Sequence, residues 1–422
     1  MRTACWLLLL FLELPAAQAQ FKHRIKKNIR TLCTPNFYGR GYVNDGVNKA
    51  AQFLYNNMER AALKPLPFAK PSDNYFQPYQ FSVNAVADSI KAKVLYYYDQ
   101  QVLTPGIDFL VDAASPSIDA YQLNLQFIDA SDSVQRNALL NPKHPGFTPN
   151  TALVLRFMPR GQKALLTAIQ QMAHPPRLLV FTVKDKLTHT ISTKVDPIPA
   201  IWIFDSLLEN AQAIDIQCNN QFNANYPCRN VAGYIPGKNQ DSFMVFTAHY
   251  DHLGMMGPNA LFAGASDNAS GTAFLLELMR YYSKHPPEYN TAFIFFSGEE
   301  AGLLGSKHFI ANPLLPLNRI KQVINIDIMG NAEQGITVVN ATVLPERFAQ
   351  LQQASVKTTI KPRGPSYNSD HAPFSDKKIP AFFIYSNGGP GFYHDVFDLP
   401  NTCQLKGVKN IFRTITQFTK AL

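Results

Sequence analysis

The chain has 422 residues, 46% of them hydrophobic and 12% aromatic, which excludes a largely disordered protein and allows two or three domains with substantial cores. Its formal charge of +9 is mild for this length, and the basic residues are scattered apart from one run, "KHRIKK", at 22–27. That run reads as a solvated start to a mature chain, so nucleic acid is not expected as a partner.

The first 19 residues have the pattern of a secretory signal peptide. Arg2 supplies the positive end, Trp6 to Leu12 the apolar stretch, and Ala17-Gln18-Ala19 a small-x-small cleavage site. Glu13 interrupts the apolar stretch, which is in any case too short to span a bilayer. With no second candidate span, the mature chain is expected to lack a stable membrane span and to be exported, to the periplasm or the medium. Cleavage leaves Cys33, Cys218, Cys228 and Cys403, an even number, which in an exported protein suggests two disulfides. Cys218 with Cys228 and Cys33 with Cys403 is the simplest of three connectivities.

Along the chain, apolar residues Val47, Ala50, Ala51, Leu54, Met58 and Ala61 recur at helical spacing and predict a helix over 44–62. A Pro-rich connector follows. From 83 to 228 short apolar runs ("KVLYYY", "ALVLRF", "RLLVFTV", "PAIWIF") alternate with polar loops around one helical segment near 160–172. This predicts a smaller inserted α/β domain over 83–228, flanked by 20–82, the N-terminal part of a main domain, and 229–422, the rest of it. In the last part the expected strands are "NVAGYIPG", "SFMVFTAH", "TAFIFFS", "QVINIDIMG", "GITVVN" and "AFFIYS", with helices over 268–284 and about 301–312 between them. Such alternation predicts an α/β fold, a mixed, mostly parallel sheet sandwiched by helices.

Ligands of open α/β sheets bind beyond the carboxyl ends of the strands. There the sequence places His249, Asp251 and His252 after one strand, Glu299 and Glu300 after the next, and Asp327 at a third. Asp267 lies in the loop "GASDNASG" and Tyr393 and His394 in "FYHD". Two adjacent glutamates at the end of a buried strand repel one another unless a cation neutralises them. Imidazole and carboxylate are the ligand set of zinc in hydrolases, and five such ligands with one carboxylate shared would serve two ions. In His249-x-Asp251 alternate residues of a strand share a face, so the Asp251 carboxylate is expected to accept a hydrogen bond from the His249 ring and set its tautomer. His252 reads as an ordinary loop residue, and 255–264 as a loop that shapes a pocket. No G-x-S-x-G elbow and no H-E-x-x-H helix occurs, which removes two other hydrolase mechanisms.

Six motifs in order, "AHYDHLG", "GASDNASG", "FSGEEAGLLGS", "NIDIMG", "SDHAPF" and "YHDVFD", resemble the M28-type zinc aminopeptidases over roughly 230–400. "FYGRGYVNDG" at 37–46 also suits that family. Segment 83–228 is similar in position and texture to the protease-associated domain inserted in many of its members. The resemblance implies a zinc-exopeptidase-like fold, two Zn2+ ions and peptide substrates cleaved at their free N-terminus. It implies metal ligation by His249, Asp267, Glu300, Asp327 and His394, with Asp267 bridging the two ions. His249 and Asp327 would hold one zinc each or share one. Glu299 would be the general base on a metal-bridging water, and Tyr393 would help hold the oxyanion. Asp370 and His371 would line the site. A carboxypeptidase or dipeptidase of this fold, a one-metal glutaminyl cyclase, and a non-catalytic peptide-binding module remain as alternatives.

Overall fold

The computed structural model describes residues 19–86, 88–141, 143–158 and 163–422. All of the expected signal segment except Ala19 lies outside the described residues.

A nine-stranded sheet organises the molecule. Its strands, numbered along the chain within this sheet, are β1 (Lys64–Pro65), β2 (Phe76–Ala85), β3 (Gln221–Ile235), β4 (Asn239–His249), β5 (Tyr289–Phe296), β6 (Ile320–Asp327), β7 (Ile336–Val339), β8 (Ile360–Pro362) and β9 (Ala381–Ser386). The order is β1-β3-β5-β4-β6-β9-β7-β8, with β2 also paired to β3. The central strands β5, β4, β6 and β9 are parallel. β3 against β5 and β7 against β9 are antiparallel. The parallel strands are continuous apolar runs because both their faces are covered. Phe246, Ala248, Phe293, Phe295, Ile324, Ile326 and Phe382 pack on one side, against helices over 19–32, Gly46–Arg60, Gly271–Tyr282 and Val408–Ala421. Val245, Ile294, Phe296 and Val323 pack on the other, against Phe309 of helix Leu304–Ala311 and Phe374 of the short helix Ala372–Asp376. The alternation along each strand is the two-residue period of a pleated sheet.

The predicted helices are present with shorter bounds. Helix Gly271–Tyr282 differs in one respect: it is buried nearly all round, not on one face, with Leu276 and Glu277 enclosed as well as Phe274, Leu275, Leu278, Met279 and Tyr282. The helix over 19–32 and the sheet enclose it from opposite sides.

Residues 90–218 build a second, eight-stranded sheet with its own core. Its parallel centre is formed by Ile118–Asp129, Thr151–Arg156, Leu178–Val183 and Ala200–Phe204. The expected boundaries at 82/83 and 228/229 fall inside β2 and β3, which pair with each other and run between the two sheets. The segment 255–264 is also not an open pocket loop. Gly254–Met256 and Ala260–Phe262 form a hairpin, and Met256, Ala260 and Phe262 are buried in the core of the second sheet.

The expected disulfides are not formed: Cys33, Cys218, Cys228 and Cys403 are all free and buried. Cys218 ends the strand Ala213–Cys218 in the core of the second sheet, whereas Cys228 lies in the main core. β3 starts at Gln221, and an extended chain rises about 3.3 Å per residue, so the short sequence separation becomes a long distance. Cys33 and Cys403 share the main core. The Cys33 thiol donates instead to the Ala263 carbonyl at 3.3 Å.

Candidate active site

Four of the candidate side chains stand where the chain leaves the main sheet, and two come from loops beyond it. His249 is the last residue of β4 and Asp327 the last of β6. Glu299 and Glu300 follow β5 across Ser297-Gly298. Asp267 sits in the irregular turn Ala265–Ser270 before helix Gly271–Tyr282, where the Asp267–Asn268 peptide is cis. His394 comes from the loop after β9. Parallel strands in register bring their carboxyl ends to one rim, which is why residues 145 positions apart in sequence, His249 and His394, meet.

They converge on Asp267. His249 Nε2 lies 3.2 Å from Asp267 Oδ1 and 3.2 Å from Asp327 Oδ1. His394 Nε2 lies 3.1 Å from Asp267 Oδ2 and 3.1 Å from Glu300 Oε2. Two half-sites therefore share one carboxylate, with one oxygen turned to each. Glu299 joins the first: one ligand atom each of His249, Glu299 and Glu300 falls within 4.8 Å of the others.

The electrostatics are those of a cluster built for a cation. Burial disfavours charge on His249, but the Asp327 and Glu299 carboxylates outweigh it and hold the ring well above the ordinary histidine range. His394 is likewise lowered by burial and lifted by Glu300 and Asp267 to about 11. Burial raises Asp267, yet the two imidazoles facing it, His249 and His394, hold it well below the usual carboxylate range. Burial and the Asp267 charge push Glu300 up, and His394 and His252 overcome them to bring it to about 2. The surrounding carboxylates thus favour positive charge at both imidazoles. No lysine or arginine pairs with these carboxylates among the described residues. His394 Nε2 is buried and makes no hydrogen bond of good geometry. Two imidazoles and three carboxylates with this focus fit zinc, whose binding would displace both imidazole protons.

Glu299 differs from its neighbour. Burial, followed by the charges of Glu300, Asp370 and Asp327, raises its carboxyl well above the ordinary glutamate range against the opposing pull of His249. Asp370 lies in the same field, buried, with neither carboxylate oxygen hydrogen-bonded, and is pushed by burial to about 7. The other residue of that pair, His371, is buried and its ring lies 5.3 Å from that of Phe383. Tyr393 is half exposed, its ring flat on that of His394 at 3.8 Å. Burial, then Asp267 and Glu300, raise its hydroxyl above the usual tyrosine value, so it remains an O–H donor.

Asp251 faces His249 Nδ1 as expected, but beyond hydrogen-bond distance. Its carboxylate lies 3.7 Å from His249 Nδ1, and its backbone carbonyl, at 3.3 Å, is the nearer partner. The carboxylate instead accepts the Tyr42 hydroxyl at 2.6 Å and the backbone N–H groups of Glu299 and Glu300 at 3.3 Å each. It ties the two glutamates to β4. The strand ends at His249, so the period-two argument fails beyond it.

Sequence reasoning missed three residues. His252 is fully buried and its Nδ1 is 2.7 Å from Glu300 Oε1. Its signal was the third imidazole or carboxylate in "HYDH". Asp398 is buried and accepts the backbone N–H of Ser266 at 2.9 Å and of Asp267 at 3.0 Å, fixing the Asp267 turn. Arg40, also fully buried, donates to the carbonyls of Tyr250, Ala263 and Gly264 at 2.7–2.9 Å. Gly264 has φ +54, and a Cβ there would lie 2.2 Å from the His252 ring, so this loop can only pass with glycine.

The class this fold and site define is a metallopeptidase domain: residues 230–419 match the model of Peptidase family M28 and form a domain of that family. Among known proteins, Aminopeptidase YwaD of Bacillus subtilis (strain 168) is 29% identical over 173 residues, 39% of this chain and 37% of that protein. Leupeptin-inactivating enzyme 1 of Streptomyces exfoliatus is 30% identical over 156 residues, 36% of this chain and 34% of that protein. The chain thus spans about a third of the length of these curated relatives. The fold likeness is broader. BSAP, a zinc aminopeptidase from Bacillus subtilis, superposes with a TM-score of 0.63 over 93% of this chain and 94% of that one, at 17% identity.

Proposed function

We propose that the chain is an exported two-zinc aminopeptidase that hydrolyses the peptide bond next to the free N-terminus of peptides. The observation that carries this reading is the shared Asp267, with one oxygen at 3.2 Å from His249 and the other at 3.1 Å from His394. His249, Asp327 and one oxygen of Asp267 would hold one ion, and His394, Glu300 and the other oxygen the second. Bound zinc would supply Lewis acidity toward the scissile carbonyl and toward water. Glu299 is the general base: its carboxyl, held above the ordinary glutamate range by burial and by Glu300, accepts the proton of the attacking water and delivers it to the leaving amine. Asp251 positions Glu299 and Glu300 through their backbone N–H groups, and the Tyr393 hydroxyl donates to the developing oxyanion. The aminopeptidase direction is supported by the names of the curated relatives. Export is supported by residues 1–19, and the second sheet is the candidate protease-associated-like unit.

The test is a digest of peptides free or blocked at either end, with and without chelator, read by mass spectrometry. Ladders from free N-termini that vanish with chelator are expected. Ladders from the C-terminus, or cuts in dipeptides alone, would replace the aminopeptidase by a carboxypeptidase or dipeptidase. Loss of ammonia from N-terminal glutamine without cleavage would favour the cyclase.

A further inference from the structure

The second sheet reaches the His394 side of the candidate metal centre. The segment after its strand Leu178–Val183 crosses to the loop that carries His394. Lys186 Nζ donates to the Gly391 carbonyl at 2.9 Å and pairs with Asp395 Oδ2 at 3.1 Å. His189 N–H donates to the His394 carbonyl at 3.0 Å, and the His189 carbonyl lies 3.1 Å from His394 Nδ1. A carbonyl can only accept, so Nδ1 carries the proton and Nε2 is left as the ligating nitrogen. The ring of His189 stacks on Phe262 at 4.8 Å, and Val396 packs against the second core. The loop at 391–396 is thus gripped on both sides of His394 by a unit outside the M28 domain. Among the described residues nothing comparable reaches His249 or Asp327, which are held by the ends of β4 and β6.

We propose that Lys186 is a positioning residue for the His394 half of the centre: by clamping Gly391 and Asp395 it holds the loop where the His189 carbonyl fixes the His394 ring. The second sheet then governs one ion and not the other. This rests on the paired-metal reading given above.

Zinc and Co(II) titrations of the metal-free full chain, by calorimetry and by the visible Co(II) bands, test it. Two ions are expected to bind wild type. In Lys186→Met the weaker step, or the one whose Co(II) spectrum is lost with His394→Ala, should fall about tenfold in affinity, the low end for a group that orients a ligand. The other step should stay unchanged. Lys186→Arg should restore most of the loss, and Asp395→Asn, which breaks the same ion pair from the other side, should repeat it if Lys186→Met folds poorly. Wild-type affinity at every step, or equal weakening of all steps, overturns the clamp. Failure of the paired-metal reading shows separately, in the stoichiometry of wild type.

Discussion

Arg40 carries a full charge into the interior and meets backbone carbonyls of the loop that leads to Asp267. Removing the guanidinium would leave those acceptors buried and unpaired, at about 1–3 kcal/mol for each group that water cannot reach. Arg40→Met is therefore expected to lower unfolding free energy by about 2–4 kcal/mol in urea titrations and to weaken metal binding with it. Glu299 behaves oppositely. Its carboxylate is crowded by Glu300, Asp370 and Asp327, so Glu299→Gln removes repulsion and should not lower stability. Turnover should drop by about 10²–10⁴, while the metal content measured by atomic absorption stays at the wild-type level. Persistent turnover would remove Glu299 from the role of base. The residue scale also shows what sequence could read here. The candidate positions that meet around Asp267 were legible because strand ends in an α/β sheet are predictable from apolar runs. Arg40, His252 and Asp398 were not, because each acts on a partner far away in sequence that only folding brings near.

Helix Gly271–Tyr282 links the centre to the core. Its first turn follows Asp267, and its middle is buried on all sides. Leu275 is fully buried in the main core, so Leu275→Ala leaves a cavity there and a loss of about 2–5 kcal/mol is expected in denaturant unfolding. The same helix carries Glu277, 4% exposed at the side chain, paired with Arg24 at 2.6 Å and Arg280 at 2.7 Å. Burial raises its carboxyl, but the hydrogen bonds from Arg24 and Arg280 outweigh that and bring it below its ordinary value of 4.5. A carboxylate depressed on folding contributes stability above its unfolded pKa and loses it as pH falls through the folded value. The stability difference between wild type and Glu277→Gln should therefore be full at pH 7 and shrink below about pH 4.5. A difference that does not change with pH would remove the ion pair as its source. This contact also makes part of "KHRIKK" structural: Arg24 is paired to the core helix, where the sequence suggested only a solvated run.

At the scale of the molecule, the two cores are joined by β2 and β3 and by the hairpin Gly254–Phe262, and the candidate metal centre lies where they meet the 391–398 loop. Ions that bind only the folded chain stabilise it by mass action, about 2.7 kcal/mol when free metal is a hundredfold above its dissociation constant. A chelator is expected to abolish activity and lower the melting temperature together, and added zinc to restore both. Loss of activity with no change in melting would mean that the ions bind folded and unfolded chain alike.

The parallel centre of the main sheet and the order in which its strand ends deliver His249, Asp267, Glu299, Glu300, Asp327 and His394 were determined by the sequence alone, because apolar runs and turn residues are local signals. Four strands of the second sheet, Gln100–Leu103, Phe109–Val111, Ile118–Asp129 and Ala213–Cys218, were not visible in it. Ile118–Asp129 is interrupted by exposed polar positions, Ala213–Cys218 is broken by Asp215 and Gln217, and the other two are four and three residues long, so none forms a bold apolar run. The free cysteines, the donors to Asp251, the burial of 255–264 and the grip on His394 were decided only by the tertiary structure. Each depends on which surface packs against which, and that is set by contacts between segments far apart in the chain.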